Sequence, residues 1–105
     1  MAELIAGTSA VVLETPIGAE MMGYGARTGT AASLHDPLHA RALYLAADSD
    51  LLLIECELCL MAPSQAEAIR ERIAARTGVA RERILVGCIH THSGPDTGFG
   101  ALLQG

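Results

Sequence analysis

Lysine and tryptophan are both absent from the sequence, and all seven cationic side chains are arginine. Without lysine the chain has no phosphate-binding lysine of the P-loop kind and no route to a Schiff base. Twelve carboxylates outnumber the arginines and leave a formal net charge of −5. A basic face able to neutralise a run of phosphates is therefore missing, and nucleic acid is not an expected partner. Aromatic residues are equally scarce: Tyr24, Tyr44 and Phe99 are all there are, so the core lacks large, rigid anchors. Cysteine is present at an odd count of three, which does not make a disulfide framework. No apolar run approaches the roughly 20 residues a membrane-spanning helix needs. The start, Met1-Ala2-Glu3-Leu4-Ile5, lacks the basic and apolar regions of a secretory signal. These absences point to a soluble, cytoplasmic protein.

What remains is a small, alanine-rich chain. It has 105 residues, half of them hydrophobic and 18 of them alanine. A mean hydropathy of +0.34 with few charges excludes a disordered tail. A chain of this length buries only about 60–65% of its unfolded surface, so it reads as one small domain or a piece of a larger one.

Leu4 to Leu13 is apolar and partly β-branched and predicts a first strand, broken by Thr15-Pro16-Ile17-Gly18. Met21 to Ser33 is rich in glycine, alanine and threonine and reads as a long functional loop. Leu38 to Ala46 and Leu51 to Leu58 predict two strands joined by a hairpin turn at Ala47-Asp48-Ser49-Asp50. Ser64 to Thr77 predicts a helix. Ser64 and Glu67 form a capping box, Ala66, Ile69 and Ile73 recur at helical spacing, and Gly78 suits a left-handed C-cap. Ile84 to Cys88 is a short final strand. Strand, helix, strand is a crossover unit, so the expected fold class is α/β with a mixed sheet.

The chemistry concentrates at Ile89-His90-Thr91-His92-Ser93-Gly94-Pro95-Asp96, just past the last strand, where α/β sheets place ligands. In an extended segment His90 and His92 project to one side and can meet one metal or substrate. The pair alone leaves other readings open: two satisfied surface histidines, or the opening HxH of an amidohydrolase barrel. The metallo-β-lactamase box is excluded, because Gly94 stands where it needs an aspartate. Ser93 reads as a turn hydroxyl, since sequence neighbours do not make a catalytic pair. His39 and Arg41 share a strand face and read as part of a salt-bridged surface, with His35 and Asp36 in the loop before Pro37. Cys56 and Cys59, taken as lying on one strand, point to opposite faces, so they and Cys88 read as buried structural thiols.

Four blocks occur in one order: Met22-Gly23-Tyr24-Gly25 with Arg27; His35-Asp36-Pro37-Leu38 running into Ala40-Arg41-Ala42-Leu43; the helix ending Thr77-Gly78; and His90-Thr91-His92-Ser93-Gly94-Pro95. That order resembles the N-terminal region of the neutral/alkaline non-lysosomal ceramidase family, from about Gly7 to Pro95. The resemblance implies residues 1–105 as the N-terminal part of a larger catalytic domain that hydrolyses an N-acyl amide with one zinc ion. It implies His90 as a zinc ligand, His92 as the histidine facing the substrate or the metal-bound species, and Tyr24, Arg27 and His35 near the substrate. The family's remaining ligands (a histidine, a glutamate and a tyrosine) and its serine lie beyond this span. A second chain or segment is therefore the expected partner, with the tail from Gly98 to Gly105 reading as the start of a further element. An oligomer is compatible with the sequence. Both a lipid amide and a soluble amide remain open as substrate, and a non-catalytic protein retaining the fold stands as the alternative from another class.

Overall fold

The turn at Ala47-Asp48-Ser49 closes a hairpin, with the Ala47 N–H donating to the Ser49 carbonyl at 2.8 Å. Its arms are the second and third strands of a computed structural model that describes residues 3–14, 17–23, 29–33 and 35–97. The elements are β1 (Ile5–Leu13), β2 (Leu38–Ala46), β3 (Asp50–Cys56), α1 (Pro63–Thr77), a single 3-10 turn (Arg81–Arg83) and β4 (Ile84–Cys88). They form one four-stranded sheet in the order β1-β2-β3-β4. The first two pairings are antiparallel and the last is parallel. The α/β class and the crossover unit are as the sequence predicts. The antiparallel hairpin removes the βα alternation that an amidohydrolase barrel would need across these residues.

Register sorts the side chains by face. Tyr44 opposes Leu52, and Leu52 opposes Ile84, on the side where α1 lies. There Leu52, Val79 and Ile84 form the buried cluster, with Ala42, Tyr44, Ile54, Ile73, Ala74 and Val86 packed around it. Burying an aliphatic side chain of this kind contributes about 1.5–3 kcal/mol, and Ile84 is the most enclosed at 1% exposure. On the other side Leu43 opposes Leu53, Leu45 opposes Leu51, and Leu53 opposes Leu85. No described element forms a second layer over these leucines, and Leu85 is 54% exposed. β1, at the sheet edge, is exposed along almost its whole length.

The helix starts one residue earlier than the sequence predicts, and Ser64 is not its cap. Pro63 occupies the first helical position, where its missing N–H costs nothing. Ala62 is the N-cap in extended conformation, and its N–H donates to Gln65 Oε1 at 2.7 Å. Glu67 pairs instead with Arg70 at 3.0 Å and with Arg81 beyond the helix. Gly78 does end the helix, at φ 79°, and donates its N–H to the Ala74 carbonyl at 2.9 Å. At the hairpin end, Asp50 accepts from Tyr44 at 3.0 Å and from Arg83 at 2.8 Å, which ties β2, β3 and the 3-10 turn together.

Candidate metal centre

Because β3 and β4 run parallel, the segments leaving their C-terminal ends emerge side by side, the usual place for a ligand in such sheets. β3 stops at Cys56, not at Leu58, and residues 57–59 form bends. Pairing nevertheless continues: Ile89 N–H donates to the Cys56 carbonyl at 3.2 Å, and His90 N–H to the Leu58 carbonyl at 3.0 Å. Cys59 thereby comes beside His90, with Sγ 3.4 Å and the carbonyl oxygen 3.1 Å from Nδ1. The CxxC pair is not on one strand. The opposite-faces geometry expected of Cys56 and Cys59 does not hold, because Cys59 lies past the strand, buried against the histidine. Cys56 is buried and Cys88 half-buried, and burial pushes both thiols up from their ordinary value.

His90 and His92 are not presented by an extended segment. β4 has ended, and His90 sits at φ 71°, the one left-handed non-glycine backbone among the described residues. A conformation of that kind costs roughly 1–3 kcal/mol and clusters at functional sites. The corner it makes still brings the two imidazoles together, with ring centroids 4.9 Å apart in an edge-to-face arrangement.

The following residues are stitched to the rest of the chain. Thr91 Oγ1 accepts from the Ser93 N–H at 3.2 Å, so Ser93 belongs to a turn. Met22 N–H reaches the Gly94 carbonyl at 3.4 Å, and Asp96 N–H donates to the Glu20 carbonyl at 2.7 Å. Thr97 Oγ1 donates to the Leu60 carbonyl at 2.7 Å, while Gln65 Nε2 donates to the Thr97 carbonyl at 2.6 Å. The start of the glycine-rich loop thus forms a wall of the site. Gly23 is the contact point: a Cβ there would lie 2.6 Å from His92 Cγ.

Of the residues singled out from sequence, Tyr24 and Arg27 lie outside the described residues, as does the tail from 98 to 105. His35 is exposed, 3.7 Å from Asp36, and is not brought to the histidine pair. His39 and Arg41 share Glu57 as acceptor at 2.8 and 2.9 Å, the salt-bridged face their spacing suggested. Burial alone would raise the Glu57 carboxyl, but the hydrogen bonds from His39 and Arg41 hold it below its ordinary value. Cys59 and Gly23 were missed. The parallel register could have located Cys59, since residues just past two paired strand ends must meet.

Cys59, His90 and His92 each offer a ligand atom, and these atoms lie within 4.8 Å of one another. Imidazole nitrogen and thiolate sulfur are the donor types zinc prefers, at about 2.0–2.3 Å. The two imidazoles fit a zinc ion, and the Cys59 sulfur stands beside them as a candidate third donor.

The molecule is an open α/β unit with a histidine pair just past the end of its parallel strand pair. Solved structures that it resembles include ceramidases. The neutral ceramidase from Pseudomonas aeruginosa is 24% identical and superposes with a TM-score of 0.76, covering 91% of this chain and 16% of that one. A ceramidase complexed with C2 is 25% identical with a TM-score of 0.78, over the same shares of the two chains. At the level of fold, the resemblance read from the four ordered blocks is shown. The chain spans about one sixth of the length of these relatives. No protein-family model matches the sequence, and no curated protein does.

Proposed function

We propose that this chain is the N-terminal part of the catalytic domain of a zinc-dependent amide hydrolase of the neutral ceramidase kind. The observation that carries the reading is the His90–His92 pair, held 4.9 Å apart at the strand end of a ceramidase-like sheet. His90 is the zinc ligand, and His92 faces the substrate or the metal-bound species. Zinc in such a site supplies a Lewis acid for the amide carbonyl and lowers the pKa of a bound water. The chain's own residues hold and aim the two imidazoles, and Gly23 leaves the space that the His92 ring fills. The small share of the ceramidase length spanned, and the leucine face left open on the sheet, favour further segments that supply the remaining ligands and the nucleophile. The substrate is an N-acyl amide; the described residues favour neither a lipid nor a soluble acyl chain.

Metal analysis of the complete protein tests this. One zinc per chain that is lost in His90→Asn, together with loss of hydrolysis of an N-acyl amide, is the expected result. Asparagine keeps the left-handed corner but supplies no imidazole. Zinc content and activity unchanged by that substitution would sink the proposal.

A further inference from the structure

Both hydrogen bonds of the His90 ring among the described residues run through the same nitrogen. Nδ1 lies 3.1 Å from the Cys59 carbonyl oxygen and 3.4 Å from Cys59 Sγ. A carbonyl can only accept, so the shorter of the two contacts is a hydrogen bond only with the proton on Nδ1. A neutral imidazole carries one proton, and its other nitrogen then keeps a lone pair. We infer that Cys59 is a positioning residue, whose main-chain carbonyl holds His90 in its Nδ1–H form and leaves Nε2 as the atom that binds metal. That consequence for the metal rests on the zinc reading above; the proton's place on Nδ1 does not.

Three observations support it. The carbonyl is fixed in place: Cys59 is 2% exposed, and the next contact along the chain is the 3.0 Å bond from His90 N–H to the Leu58 carbonyl. His90 makes a left-handed corner beside that buried residue. His90 itself is exposed as a residue, while the Nδ1 edge of its ring lies against buried Cys59. Histidines that bind metal almost always donate their other ring N–H to a carbonyl or carboxylate, which fixes ring orientation and raises ligand basicity.

The competing arrangement makes Cys59 a third ligand through its thiolate. Zinc sits about 2.3 Å from sulfur and about 2.0–2.1 Å from imidazole nitrogen. An ion shared by Sγ and His90 Nδ1 would displace the bond from Nδ1 to the carbonyl, so that arrangement and the Nδ1–H form exclude one another.

Ring-15N histidine labelling of the protein separates them, with the His90 signals assigned by their loss in His90→Asn. With the ring neutral and no metal added, Nδ1 is expected to carry the proton, and added zinc to shift Nε2. Cobalt(II) in place of zinc is expected to show no thiolate-to-cobalt charge-transfer band. Losing a ligand or its orienting partner costs about 10–100-fold in metal affinity or more, whereas Cys59→Ala, which keeps the carbonyl, is expected to change it by less than about threefold. A proton on Nε2 in the metal-free protein overturns the inference. So does a thiolate band that Cys59→Ala abolishes. A protein with Nδ1 protonated that takes up no zinc upholds the role of Cys59 and overturns the zinc reading alone.

Discussion

Gly23 and His92 are in contact across 69 residues of sequence, so closely that a Cβ on the glycine would meet the imidazole at 2.6 Å from Cγ and 2.9 Å from Cβ. The glycine also sits at φ 115°, a backbone that side chains rarely adopt. Gly23→Ala therefore adds backbone strain of about 1–3 kcal/mol and displaces the ring. A shift of about 1 Å in a catalytic group costs on the order of 10²-fold in rate, and that loss is the expected effect on amide turnover. Gly78→Ala is the control. Its φ is 79° but nothing lies within 4 Å of the added carbon, so about 1 kcal/mol of stability goes while turnover stays. Equal activity losses in the two variants would contradict the steric account.

Ile84 anchors the core beneath α1. Ile84→Ala is expected to cost about 2–5 kcal/mol and Ile84→Val about 0.5–1.5 kcal/mol, the usual range for emptying and trimming a packed site. Chemical denaturation of the two variants against the parent protein measures both.

Among the described residues, the carboxyls of Asp50 and Glu57 are held below their ordinary range and so add to the acid sensitivity. Asp50 is held below its ordinary value first by the hydrogen bond from Arg83 and then by that from Tyr44. Glu57 is lowered too, because the bonds from His39 and Arg41 outweigh the effect of burial. A carboxyl whose folded pKa is depressed contributes its full stability above its unfolded value and loses it as the pH falls through the folded value. Melting temperature should therefore hold steady near neutrality and drop below about pH 4, the ordinary carboxylate range. The double variant Asp50→Asn, Glu57→Gln is expected to melt lower at pH 7 and to show a flatter acid limb. A parallel acid limb would remove these two groups from the account.

Leu53 tests whether the sheet's open side is an interior. It is half-buried here, between Leu43 and Leu85. In the complete protein Leu53→Asp is expected to cost more than about 2 kcal/mol, the order expected for a polar group buried without partners. A variant within about 0.5 kcal/mol of the parent, the range of ordinary surface changes, would mean that solvent covers this face.

The sheet was legible because its signals are local. Asp48-Ser49 marks the turn, the apolar runs on either side of it mark the two strands, and Gly78 closes the helix. The helix start was misread because Ser64 and Glu67 look like a capping pair, whereas Pro63 lets the first turn form one residue sooner. Sequence spacing put His39 and Arg41 on one face but could not name Glu57 as their shared acceptor, because the end of β3 was set two residues too far along. The same misplacement hid Cys59. His90 and His92 do stand together as their spacing suggests, but on a different backbone: two residues of extended strand would align them, whereas a left-handed corner does it instead, and no residue pattern announces that corner.

That corner also filters what evolution can put in its place. Asparagine, aspartate and histidine enter left-handed backbone several-fold more often than other side chains, glycine enters it freely, and β-branched residues are genuine outliers there. If selection for the imidazole were relaxed in some lineage, drift at position 90 would run along this narrow alphabet and not at random. A relative that has lost the metal but kept the architecture should carry asparagine, aspartate or glycine at this point. One with valine or isoleucine should have rebuilt the corner itself.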